Sequence, residues 1–149
     1  MAGKRPSPVK IIFGEKSLAQ LPAELDAAGV KKPLIICGKH FISSFKFRDL
    51  EENLHFFELF DSVGENPSLE IVDSAANALN EKACDAVIGI GGGSVLDAAK
   101  VVSCMKNFGK GSAAFYSKTP MKKENKVPFF ALPTTSGSGS EATDAAVLT

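Results

Sequence analysis

Apolar runs of strand length alternate along this chain with stretches whose apolar residues recur at helical spacing. Val9 to Phe13 is a short β-branched run ending at Gly14 and predicts a first strand. A helix from Ser17 to about Ala28 follows, with Leu18, Leu21 and Leu25 on one face and Gly29 as its stop. Pro33 to Cys37 is almost continuously apolar, as a strand buried on both faces must be. Phe45 to Leu54 has the character of a short helix, and His55 to Phe60 that of a strand. After the turn residues Gly64, Asn66 and Pro67, Ser68 is placed to cap a helix with the stripe Val72, Ala75, Ala76 and Leu79. Ala86 to Ile90 is again a buried strand, and it runs at once into Gly91, Gly92, Gly93 and Ser94. A third helix then carries Val95, Ala98, Ala99, Val102 and Met105 at helical spacing. Asn107 to Lys126 is a lysine-rich loop, Val127 to Leu132 a last strand, and Pro133 to Ser140 a loop of small hydroxyl residues and glycine.

This alternation predicts an α/β fold: a mostly parallel, Rossmann-like sheet with helices on both faces. Ligands of such sheets bind at the carboxyl ends of the strands, near a switch in strand order. Both glycine-rich segments directly follow strands, so both belong at that edge. The run Ala145 to Thr149 begins like a strand and stops, which suggests a chain cut within a larger protein. A natural edge strand is the other reading.

Composition narrows the function classes. The 149 residues suffice for one domain, and 17 basic residues offset 17 acidic ones. A neutral chain offers no field to draw nucleic acid or an anionic membrane. No apolar stretch is long enough to span a bilayer, and Met1 to Lys10 lacks a signal-peptide core, so the expected location is the cytoplasm. Cys37, Cys84 and Cys104 show no C-x-x-C spacing and are expected as buried thiols. His40 and His55 have no partner ligand at helical spacing, so no metal site is expected in these residues.

Candidate chemistry concentrates in Gly91-Gly92-Gly93-Ser94. Glycines let the backbone approach a phosphate, and the free amides and dipole of a helix start attract an anion. A tight turn with Ser94 as N-cap and Asp97 closing a capping box explains those two residues, but not three consecutive glycines. The G-x-G-x-x-G fingerprint is not matched, because Ser94 stands at its third glycine. Gly109-Lys110-Gly111-Ser112 likewise lacks the leading glycine of a Walker loop. The second candidate is Pro133-Thr134-Thr135-Ser136-Gly137-Ser138-Gly139-Ser140-Glu141, whose hydroxyls suit a wall of hydrogen bonds to a polar ligand.

With Asp97, Lys100, Ile12-Phe13-Gly14 and Asn66-Pro67-Ser68 added, these segments resemble the iron-containing (group III) alcohol dehydrogenases over essentially the whole chain. Glycerol dehydrogenases and dehydroquinate synthases share the fold and the glycine turn. The resemblance implies an oxidoreductase passing hydride between a small alcohol or aldehyde and NAD(P), with residues 1–149 as the nucleotide-binding domain. The helical domain holding a divalent metal (iron or zinc) would lie outside the chain. It also implies that Gly92, Gly93 and Ser94 meet the pyrophosphate, that Thr134, Thr135, Gly137 and Ser138 line the opposite side, and that Asn66 faces the adenosine half. Asp97 is the implied catalytic-site residue, toward the nicotinamide, and a homodimer through the first strand is the implied assembly. One departure stands out: many NAD-using members carry an aspartate after the second strand, where this chain has Gly38-Lys39-His40. Losing that carboxylate removes repulsion toward a 2′-phosphate, and Lys39 adds a positive charge, so NADP is expected over NAD. The alternatives are a non-catalytic nucleotide-binding module, or a relative of the glycerol dehydrogenase or dehydroquinate synthase type.

Overall fold

The computed structural model describes residues 9–115, 122–137, 139, 146 and 148. Four strands form one parallel sheet: β1 (Pro33–Cys37), β2 (Glu58–Phe60), β3 (Ala86–Gly91) and β4 (Phe129–Pro133), in the order β2-β1-β3-β4. Between them run α1 (Leu21–Ala27) before β1, α2 (Lys39–Ile42) and α3 (Phe45–Asn53) before β2, α4 (Leu69–Glu81) before β3, and α5 (Gly93–Val102) before β4.

The two central strands are buried along their whole length, so successive side chains must find cover on opposite faces. Leu34, Ile36 and Val87 pack on the stripes of α4 (Val72, Ala75, Ala76, Leu79) and α5 (Val95, Ala98, Ala99, Val102). Ile35, Cys37, Ile88 and Ile90 pack instead on Leu21 and Leu25 of α1 and Phe47 and Leu50 of α3. The expected two-sided sheet is therefore present. Register is fixed at the amino ends by Asp85, whose carboxylate accepts the backbone amides of Lys31 and Lys32 at 2.8 and 2.9 Å.

Three local expectations need correction. Val9 to Phe13 forms no strand: Val9, Ile11 and Phe13 are exposed and pair with nothing in the sheet. A β-branched run becomes a strand only when its backbone groups find a neighbour. The helix begun at Ser17 opens as a 3₁₀ turn, Ser17–Gln20, and becomes α-helical only from Leu21, with Pro22 in its first turn. Cys104 is half-buried, while Cys37 and Cys84 are buried as expected. The lysine-rich segment carries two short 3₁₀ turns, Ser112–Phe115 and Lys123–Asn125. Among the described residues no helix is long and apolar enough to cross a membrane.

Burial, aided by the charge of Asp61, pushes the Cys37 thiol up to about 11, and burial also pushes Cys84 upward. At pH 8 iodoacetamide should therefore label Cys104 first, with Cys37 and Cys84 reacting only on unfolding; rapid native labelling of Cys37 would contradict the packing. Ile88 sits fully buried in the central strand. Ile88→Ala should lower unfolding free energy by about 2–5 kcal/mol in urea titration.

Candidate functional site

The order β2-β1-β3-β4 places the reversal of winding between β1 and β3. The chain leaves β1 toward β2 and leaves β3 toward β4. Their carboxyl ends diverge there into a crevice, the general ligand position of open α/β sheets. A cleft of about 770 Å³ occupies it, lined by residues 38–40, 61–66, 92–95 and Thr135.

Its floor is the bend from β3 into α5. Gly92 is the N-cap of α5 in an extended conformation, and the first intrahelical bond runs from the Leu96 amide to the Gly92 carbonyl. The amides of Gly93, Ser94 and Val95 precede that bond and so have no intrahelical acceptor. The helix is ten residues long, so its dipole adds to their partial positive charge. Ser94 is therefore not the N-cap that the capping-box reading required; it lies inside the first turn. Its Oγ instead accepts the Asn66 amide at 3.4 Å, across the cleft.

Close packing sets the height of this bend. A Cβ on Gly89 would meet the Ala99 Cβ at 2.8 Å, so α5 lies as near to β3 as backbones without a side chain between them allow. At Gly92 a Cβ would come within 3.2 Å of the Thr135 Oγ1. The cradle is thus open only because these positions lack side chains. The hydroxyl-rich segment is fastened alongside: Gly91 pairs with Pro133, and the Thr134 amide donates to the Gly91 carbonyl at 2.9 Å.

Of the expected site residues, Gly38, Lys39, Asn66, Gly92, Gly93, Ser94 and Thr135 come together around this one cleft. Lys39 stands not in a loop but at the first position of the short α2 turn, exposed to solvent. Thr134 contributes its backbone to the sheet edge and is not part of the cleft lining, nor is the exposed Gly137. Ser138 lies outside the described residues. Asp97 is buried in α5, outside that lining, with the Lys100 Nζ 3.5 Å from its Oδ1. Two acids of the lining, Asp61 and Glu65, were not among the sequence candidates. The available signal was Asp61's position directly after a strand and Glu65's position next to Asn66, at the same edge.

The family model described as iron-containing alcohol dehydrogenase matches residues 8–149. The chain belongs to the iron-containing alcohol dehydrogenase family. Alcohol dehydrogenase 4 of Schizosaccharomyces pombe is 30% identical over 142 residues, covering 93% of this chain and 33% of that protein. The sulfoacetaldehyde reductase of Bifidobacterium kashiwanohense, solved in complex with NAD+, superposes with a TM-score of 0.92 at 28% identity, covering 100% of this chain and 40% of that one. An iron-containing alcohol dehydrogenase of Thermotoga maritima superposes at 0.85 with 33% identity, over 96% of this chain and 41% of that one. The chain thus spans about a third of the length of the curated relatives it matches.

As a member of the iron-containing alcohol dehydrogenase family the chain raises the question of a metal. Among its described residues no three His, Cys, Asp or Glu side chains converge, so these residues do not fit a metal centre. A nucleotide does fit: the cradle at residues 92–95 is open, rich in donors and positive by its dipole.

Gly89 touches neither cleft nor solvent, yet it sets the height of α5. Gly89→Ala should therefore destabilise the chain by about 1–3 kcal/mol and weaken anion binding at the bend as well. Urea titration and nucleotide titration on one preparation test this; unchanged stability would show that α5 is free to move away.

Proposed function

We propose that this chain is the nucleotide-binding part of a metal-dependent alcohol dehydrogenase, holding NAD(P) in the cleft at the carboxyl ends of β1 and β3. The observation that carries the reading is the meeting, in one cleft, of the first-turn amides of α5, Thr135, Asn66 and the Gly38-Lys39 corner. The bound nicotinamide accepts or gives a hydride, and a small alcohol or aldehyde is its partner. The chain's own residues bind and orient. The amides of Gly93, Ser94 and Val95 donate to the pyrophosphate, and Thr135 donates from the β4 side. Asn66 holds the adenosine half, its backbone amide now engaged with the Ser94 hydroxyl. Asp97 belongs to the nicotinamide end, beyond the described lining of the cleft. Thr134, Gly137 and Ser138 belong to the wall that the hydroxyl-rich segment presents.

NADP is the preferred form in this reading. Gly38 carries no carboxylate, and Lys39 beside it offers a charge to a 2′-phosphate. The exposed Val9, Ile11 and Phe13 are the surface that a homodimer built on the first segment would cover.

Fluorescence titration of the chain with NADPH and NADH tests the proposal. Saturable binding of both is expected, NADPH the tighter. Binding of neither would reject the nucleotide site, and tighter NADH would reject the Lys39 argument alone. Residues 1–149 by themselves should not oxidise alcohols, because no group of side chains able to hold a substrate-polarising metal occurs among the described residues.

A further inference from the structure

The cleft that receives the nucleotide is not uniformly positive. Asp61 leaves the end of β2, and the segment it opens folds across the end of β1. The Val63 amide donates to the Cys37 carbonyl at 3.4 Å, and a Cβ on Gly38 would meet the Val63 carbonyl oxygen at 3.0 Å. Residue 38 therefore has no room for a carboxylate of its own unless that crossing segment moves. The acid beside this corner comes instead from the neighbouring strand. Asp61 lines the cleft, is half-buried, and accepts the Ser62 hydroxyl at 3.3 Å. It shares the cleft lining with Gly38, the residue that follows β1, and its charge adds to burial in pushing the Cys37 thiol upward. Glu65, the other acid of the lining, is exposed and so more strongly screened by water.

Resting on the nucleotide reading above, we propose that Asp61 is a specificity-determining residue of this cleft, its carboxylate accepting from the adenosine ribose hydroxyls and opposing a 2′-phosphate. Lys39 and Asp61 then act on the same group with opposite sign. A half-buried carboxylate is poorly screened, so its repulsion toward a phosphate dianion is of the same order as the attraction supplied by the exposed lysine. Asp61 thereby limits the NADP preference that Gly38 and Lys39 create, and the cleft retains use of both nucleotides.

The test is titration of the chain and of its Asp61→Asn and Asp61→Ser variants with NADPH and NADH, at low and at high salt, with far-UV circular dichroism to verify folding. In both variants the dissociation constant for NADPH should fall about tenfold while that for NADH holds or rises, and the gain should shrink with added salt. A ratio of the two constants within about twofold of the parent in both variants, with both nucleotides still bound, overturns the assignment of Asp61 and leaves the nucleotide site intact. A parent chain that binds neither nucleotide overturns both.

Discussion

Everything at this site depends on how closely α5 approaches β3. A helix can end a parallel strand at many heights, but here the absent side chain at Gly89 lets the Ala99 methyl sit against the strand backbone. That contact fixes where the helix begins. The Val95 side chain fills the space above Gly91, and the first-turn amides are left facing the cleft, where no other part of the backbone satisfies them within the helix. Burial of Leu96, Ala98, Ala99 and Val102 holds the helix there, so core packing is what positions the anion cradle.

The sheet supplies the second half of the constraint. Because β1 and β3 are neighbours whose following segments depart in opposite directions, a crevice opens between their carboxyl ends, and the start of the β2-to-β3 connection lies against the end of β1. The crevice is a consequence of strand order, and the residues that line it come from three separate crossovers and from the segment after β4. This is why residues as distant in sequence as Lys39, Asn66 and Thr135 meet there. The Ser94–Asn66 contact spans two of those crossovers directly.

Much of this was legible from the chain because burial and period agree. The stripe Val72, Ala75, Ala76 and Leu79 is fully apolar on one face and buried as written, and Pro33 to Cys37 is apolar throughout because both its faces are covered. The triglycine bend was legible for a similar reason: three glycines carry an entropic cost that only a close approach explains. What escaped the sequence depended on partners. Val9 to Phe13 has a strand's residues and no strand beside it. Ser94 has the residue type of an N-cap, but the tight exit from β3 starts the helix earlier, at Gly92. Asp61 and Glu65 lie among turn residues, where acids are ordinary, and only the crossing of 61–63 over the end of β1 brings Asp61 to the cleft. Lys39, singled out for a reason of charge, lines the cleft and stands on a helical turn.

The electrostatics of the cleft follow from the neutrality of the whole. With 17 basic and 17 acidic residues there is no long-range field to concentrate an anion, so attraction must arise locally. Oriented amides supply it without a net charge, at fixed positions and with little reorganisation on binding. In the proposed reading a dinucleotide's pyrophosphate would be held mainly by backbone, which side-chain substitution barely alters. Side chains are left to decide what the backbone cannot distinguish, namely the substituents of the ribose. On the proposed division of labour, the glycine bend would determine that a nucleotide binds, and the few charges at the Gly38 corner which one.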